Sequence, residues 1–389
     1  MEFNFDQIVD RTGTASLKWD FRAENTGIPD ILPMWVADMD FPAPPEVVEA
    51  VKSRAAHGVY GYTGHPESFF QATRKWFGSV HNWEIKEESI IVTPGVVPAI
   101  NLAIQTFTRP GEKIIIQPPV YYPFMWAVEN NQREIAANQL VRVHDTWRMD
   151  LEDLENKIGA GASMLILCSP HNPVARVWTR KELEELAALC RRHDILIVSD
   201  EIHADLAMPG HIHLPLETVA PDLRERIITC TSPSKTFNLA GLQVSSTIIP
   251  DPGLHARFNT AMKTVGLGLS NPFGIVAAEA AYRHGRKWLD KLLAYIKANH
   301  TYLAGICREK IPWANPMPLE GTYLAWIDCH AAGLEDETLS KRLREKARVW
   351  LDEGPLFGPG GEGFQRMNLA CPRAILARAL ERIAGIPVS

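Results

Sequence analysis

Four side chains in this sequence have types and surroundings suited to covalent or acid–base chemistry. Lys235 follows Ser232-Pro233-Ser234, just past the apolar run IITC at 227–230. An amine held there, desolvated and near other cations, gives up its proton readily and can form an imine with a carbonyl compound. The neighbouring hydroxyls of Ser232 and Ser234 suit a phosphate group. Asp200 closes the apolar run ILIVS at 195–199. A carboxylate so placed can pair with a cationic ring nitrogen and keep that ring protonated, which makes it an electron sink. Asn172, in Pro170-His171-Asn172-Pro173, can donate to a ring oxygen. Arg366, in FQRMNLA at 364–370, can grip a carboxylate through two charge-assisted bonds, an interaction of roughly 1.5–3 kcal/mol. Each residue also has a plainer reading when taken alone. Lys235 would be a surface lysine in a serine-rich turn, Asp200 a helix cap, Asn172 part of an asparagine–proline turn, and Arg366 a strand arginine facing water.

Two other patterns carry less. Gly358-Pro359-Gly360-Gly361-Glu362-Gly363 matches the G-x-G-x-x-G spacing. A dinucleotide fingerprint needs a strand before it and a helix after it, whereas Phe364 to Ala370 alternates like a strand. His203, His211 and His213 cluster in sequence, but no cysteine or carboxylate completes a regular metal-ligand spacing, and Pro209-Gly210 marks a loop.

The elements that must position these residues are legible as short apolar runs between helical periods. IIV at 90–92, KIIIQ at 113–117, MLILC at 164–168, ILIVS at 195–199 and IITC at 227–230 read as parallel strands buried on both faces. Between two of them, Thr179 and Glu182 form a T-x-x-E capping box. Leu183, Leu186, Ala187 and Cys190 then recur at helical spacing toward the sheet, and His193-Asp194 closes the helix. The unit is βαβ, with a right-handed crossover expected. Asn172, Asp200, Ser234 and Lys235 lie just past strand ends, where open α/β sheets bind ligands. Helical stretches around 274–310, a half-exposed strand at 322–328 and a strand at 364–370 suggest a second, α+β domain. The expected division is a large α/β domain over 46–285, a small domain over 286–389, and an N-terminal segment over 1–45 that joins the small domain.

The chain has 389 residues, 46% hydrophobic and 22% charged, an ordinary balance for a globular protein with a sizeable core. Its net charge of −6 is interspersed, which argues against a nucleic-acid groove or a membrane surface. The six cysteines are scattered and contain no CxxC pair, which fits a reduced, cytoplasmic setting. The first residues hold no apolar leader, and no apolar run is long enough to cross a bilayer.

The joint order of Asn-Pro, strand-end Asp, Ser-x-Ser-Lys and a late Arg resembles the fold-type I pyridoxal 5′-phosphate (PLP) enzymes of the class I/II aminotransferase group. Within that group the chain is most similar to the MalY/PatB family of cystathionine β-lyase-type carbon–sulfur lyases. The motifs are LPMWVADMDF at 32–41, HGVYGYT at 57–63, PGVVPAI at 94–100 and QPPVYYPF at 117–124. They continue as CSPHNP at 168–173, SDEIHADL at 199–206, SPSKTFNLAGLQ at 232–243 and GPGGEGFQRMNLACPR at 358–373. The resemblance implies a large domain with a mostly parallel sheet flanked by helices, plus the smaller domain. It assigns Lys235 the imine to PLP, Asp200 the ring nitrogen, Asn172 the ring 3′-oxygen and Tyr121 the ring face. The amides of Val96 and Val97, with Ser232 and Ser234, would meet the phosphate. Arg366 would hold the substrate α-carboxylate. Tyr62 would reach the phosphate from a neighbouring subunit, which implies a homodimer.

Three positions depart from the aminotransferase pattern. Gln243 stands where many aminotransferases carry a phosphate-binding arginine, which matches the lyase branch. His203 replaces a tyrosine near the 3′-oxygen. Val174-Ala175 replaces a Ser/Thr-Gly pair, so Ala175 would be strained if the glycine has positive φ. The activity implied is β-elimination of cysteine S-conjugates to thiol, pyruvate and ammonia. An aminotransferase, or a regulatory protein retaining a PLP fold, are the alternatives. Tyr122, Phe124 and Trp126 would line an apolar leaving-group pocket or simply pack.

Overall fold

The computed structural model describes residues 3–387. Residues 1 and 2 of the expected N-terminal segment, and 388 and 389 of the expected small domain, lie outside that range. The central sheet has seven strands: β1 (Ile90–Thr93), β2 (Lys113–Ile116), β3 (Glu134–Ala137), β4 (Ala162–Cys168), β5 (Leu196–Asp200), β6 (Ile227–Thr231) and β7 (Ser245–Ile248). Their spatial order is β1-β7-β6-β5-β4-β2-β3. The run from β6 to β3 is parallel throughout. Its side chains alternate between two cores, as a sheet covered on both faces requires. Ile114, Met164, Leu196 and Ile228 pack with Ile100, Ala103 and Ile104 of helix α1 (Val96–Phe107). Ile115, Leu165, Ile197 and Ile227 pack on the opposite side with Leu183, Leu186 and Cys190.

Two expectations about strands need correction. β1 was expected to be a parallel strand, but it pairs only with β7, and antiparallel. β7 itself is not an apolar run. Its Ser245, Ser246 and Thr247 are buried, and the hydroxyls of two of them find partners on β1: Thr93 Oγ1 lies 2.6 Å from Ser245 Oγ and 3.2 Å from Thr247 Oγ1. The strand expected to be half-exposed at 322–328 spans Leu324–Asp328, and its first four residues are buried. It is an inner strand of a four-stranded sheet, with Trp326 stacked on Phe364 at 4.9 Å.

Helix α2 (Pro123–Asn130) follows β2, and α3 (Arg180–Arg192) carries the expected capping box. Thr179 Oγ1 accepts from the Glu182 amide at 3.3 Å, and Glu182 Oε2 accepts from the Thr179 amide at 2.8 Å. Helices α4 (Pro272–His284) and α5 (Arg286–Lys310) meet at Gly285, where a Cβ would fall 2.3 Å from the Phe237 ring. We propose this junction as the domain boundary. The four-stranded sheet beyond it contains β8 (Asn315–Pro316), β9 (Leu324–Asp328), β10 (Asp352–Glu353) and β11 (Phe364–Asn368). The N-terminal segment contributes Leu32 and Pro33, which pair with Val349 and Trp350. Met34, Met39 and Phe41 share a core with Leu324, Leu369 and Leu380. Among the described residues, no helix is long and apolar enough to cross a membrane.

Candidate active site

The carboxyl ends of β4, β5 and β6 open into a pocket of about 190 Å³. Lys235 enters it from the single helical turn Pro233–Thr236, which Ser232 caps by accepting from the Ser234 amide at 3.1 Å. Lys235 Nζ is buried and donates to the Ala37 carbonyl at 2.7 Å. Burial lowers its pKa to about 8; Asp38 opposes that shift, and the positive charge of Arg366 adds to it. Asp200 stands at the end of β5 and is 3% exposed. Its Oδ1 accepts from the Ile202 amide at 3.1 Å, and no side chain among the described residues donates to it. Burial pushes its pKa up to about 7 against the pull of that amide and of Lys235. A buried carboxylate with so little compensation is a place for a cationic partner.

The other walls supply complementary groups. Val96 and Val97 begin α1 without a side-chain cap, and Pro98 has no N–H, so the helix start presents the two valine amides to the pocket. Such a start suits an anion. Ser234 and Gln243 line the same pocket. Ser232 also borders it, but its hydroxyl lies 2.7 Å from the Val244 carbonyl, which engages its proton. Tyr121 contributes a partly buried phenol whose pKa desolvation raises. His203 is buried, with Nδ1 lacking any partner among the described residues. Burial, with Lys235 and Arg366 acting the same way, lowers its pKa to about 3, so the imidazole is neutral.

Arg366 is 1% exposed, which removes the reading of a solvent-facing strand arginine. Its Nη1 donates to Asn172 Oδ1 at 2.9 Å. That contact fixes the amide so that Asn172 turns its NH2 group away from Arg366, and Asn172 borders the pocket. Nη2 donates to the Trp35 carbonyl at 3.1 Å and to Asp352, directly opposite on β10. Nε is buried without a partner among the described residues. The guanidinium packs over Phe357, 4.8 Å from its centroid.

Asp352, Trp35, Ala37 and Tyr323 were not anticipated. Tyr323 donates to the same Ala37 carbonyl as Lys235, at 2.9 Å. The backbone of 36–41 is pinned from both sides. Asn368 Nδ2 donates to the Val36 and Asp38 carbonyls at 2.7 and 2.6 Å, and Asn238 Nδ2 to those of Met39 and Phe41 at 3.0 and 2.9 Å. An asparagine amid apolar neighbours, as in FNLAG and RMNLA, was the available signal. A single chain does not bring Tyr62 to the pocket: it is 97% exposed. Ala175 adopts φ 59° while buried, so alanine itself takes the left-handed conformation there. The glycine run at 358–363 leads into strand β11. His213 Nε2 lies 2.9 Å from Glu201 Oε2.

A sequence profile of the aminotransferase class I and II family matches residues 29–383. The chain belongs to this family. Within it, the chain is 44% identical to cystathionine β-lyase PatB of Bacillus subtilis, over 98% of each chain. It is 36% identical to the protein MalY of Escherichia coli, covering 99% of this chain and 98% of MalY. The expected resemblance to the MalY/PatB branch is thus borne out. The crystal structure of cystalysin from Treponema denticola, which contains a pyridoxal 5′-phosphate cofactor, superposes with a TM-score of 0.95 at 37% identity. That match covers 99% of this chain and 98% of cystalysin. The fold-type I expectation holds for the family fold seen here.

Proposed function

We propose that this protein is a PLP-dependent carbon–sulfur β-lyase acting on cysteine S-conjugates. The observation that carries the proposal is the facing pair in one pocket: a buried amine, Lys235, and a buried strand-end carboxylate without a side-chain donor, Asp200. The residues fit PLP. Asp200 would meet the ring nitrogen, Asn172 and His203 the 3′-oxygen, Tyr121 the ring face, and Val96, Val97 and Ser234 the phosphate, with Ser232, its proton on the Val244 carbonyl, standing 2.9 Å behind Ser234. The names of PatB and cystalysin's relatives in this branch support the lyase reaction, as does Gln243 in place of an arginine.

PLP, when bound, would supply an aldehyde carbon at which the substrate amine takes the place of the Lys235 amine, and a protonated ring able to accept the electron pair left at Cα. The chain's own groups do the rest. Arg366 holds the α-carboxylate and so orients the Cα–H bond toward Lys235. The Lys235 amine, whose pKa burial lowers, removes that proton. Asp200 keeps its negative charge at the ring nitrogen. Departure of the β-sulfur as thiol and addition of water give pyruvate and ammonia. PLP-loaded protein incubated with cystathionine, S-methylcysteine and bulkier conjugates is expected to release thiol and pyruvate in equal amounts, and with cystine the persulfide of cysteine and pyruvate. Absence of pyruvate from the whole panel would overturn the proposal, and turnover that requires an α-keto acid would make the protein an aminotransferase.

Homodimer formation is part of the same proposal. Val59, Tyr60 and Tyr62 form an exposed apolar stretch, which supports a partner subunit's covering it and receiving Tyr62 at its phosphate end. Sedimentation at the mass of one chain would refute this. A cytoplasmic location is proposed from the six free cysteines, and cell fractionation tests it.

A further inference from the structure

Arg366 has no complete edge left with which to grip a carboxylate. A planar guanidinium offers two such edges, Nε with Nη2 and Nη1 with Nη2, and both need Nη2. Here Nη2 places one proton on Asp352 Oδ2 and the other on the Trp35 carbonyl, 3.1 Å away. Nη1 has given one proton to Asn172. The Nε proton, buried, meets no acceptor among the described residues. An arriving carboxylate could take single protons from Nε or Nη1, but a two-bond grip requires that one of the two Nη2 acceptors give way, and of these Asp352 carries the charge that competes with a carboxylate.

We propose that Asp352 is a resident competitor on Arg366, occupying the seat of the substrate carboxylate until it is neutralised or displaced. The inference rests on Arg366 being the carboxylate-binding residue of the proposed lyase. Asp352 is 4% exposed and lies opposite Arg366 in the β10–β11 register. The charged and titratable groups around it are few. Arg366 faces it from β11. Glu353, its neighbour on β10, is engaged by Arg344. Tyr122, at the start of α2, feels its negative charge. Burial raises the pKa of Asp352 against the pull of Arg366. Two carboxylates sharing one buried cation would leave a negative charge poorly compensated. Proton uptake by Asp352 from solvent removes that excess and frees the one Nη2 proton that Asp352 holds. Carboxylate binding therefore strengthens as pH falls, and it does so through this residue.

The test is calorimetric titration of the PLP-loaded protein with 3-(methylthio)propionate, a carboxylate without the amino group the reaction needs. Titrations run from mildly acidic to mildly alkaline pH on wild type, Asp352→Asn and Asp352→Ser. Both variants remove the charge, and two are used so that a folding defect in one does not hide the result. The variants are expected to bind about tenfold tighter than wild type at neutral pH, a gain of about 1.4 kcal/mol, and to lose most of the pH dependence. Equal or weaker binding by both folded variants, with the wild-type pH dependence intact, would overturn the proposal. Binding that survives Arg366→Met would instead remove the carboxylate from Arg366, and it is the site assignment that would then fail.

Discussion

Asp200 holds a negative charge that the folded chain alone compensates poorly. Its pKa of about 7, against the usual 3.8, means that the folded protein binds a proton there that the unfolded chain does not, between about pH 4 and pH 7. Stability of the cofactor-free protein should therefore fall as pH rises through that window and stay reduced above it. Asp200→Asn removes the charge and is expected to stabilise the cofactor-free protein by about 1–3 kcal/mol at slightly alkaline pH. The same change should abolish lyase turnover. Urea unfolding of both cofactor-free proteins is the measurement; a less stable variant would contradict this account. Asp200 and Lys235 were legible because each follows an apolar run directly, and a polar group there demands a reason. Asp352 was not. Its partner Arg366 lies opposite on a neighbouring strand, and that register comes from the folded small sheet, not from local spacing.

Elements were readable where local chemistry suffices. The Thr179–Glu182 box is a contact between near neighbours, and the buried parallel strands advertise themselves by composition. β7 was hidden because Ser245 and Thr247 satisfy their hydroxyls with Thr93, some 150 residues away in sequence. The turn after Asn172 is the instructive case. A buried alanine in the left-handed region costs about 1–2 kcal/mol, yet the loop keeps that shape, because the Ala175 carbonyl accepts from the Glu320 and Gly321 amides at 3.1 and 2.9 Å. Ala175→Gly relieves the backbone but gains unfolded-chain entropy. The expected net is a stabilisation of up to about 1 kcal/mol, with PLP absorbance and turnover unchanged. A fall in melting temperature would show that packing of the Ala175 methyl outweighs the strain.

Across the whole molecule, the N-terminal segment ties the two sheets together, and a buried ion cluster holds it in place. Asp40 accepts from Lys18 Nζ at 2.7 Å, Arg11 Nη1 at 2.7 Å and Trp19 Nε1 at 2.8 Å. Burial alone would raise its pKa, but Lys18 foremost, with Trp19 and Arg11, brings it below the usual carboxylate value. Its contribution is thus present at neutral pH and is lost as pH falls through the lowered value. Asp40→Asn would leave Lys18 buried without its main counter-charge and is expected to cost about 3 kcal/mol at neutral pH. Urea unfolding there, with limited proteolysis of residues 3–40, reads the effect; unchanged stability would argue that Asp38 alone suffices for Lys18. The shared acceptor at Ala37 has a different consequence. Because it belongs to the main chain, no side-chain exchange at position 37 deletes it. The acceptor that the uncombined Lys235 amine meets is therefore shielded from ordinary point mutation. An engineer can retune it only indirectly, by altering the competing Tyr323 hydroxyl or by replacing the peptide linkage itself.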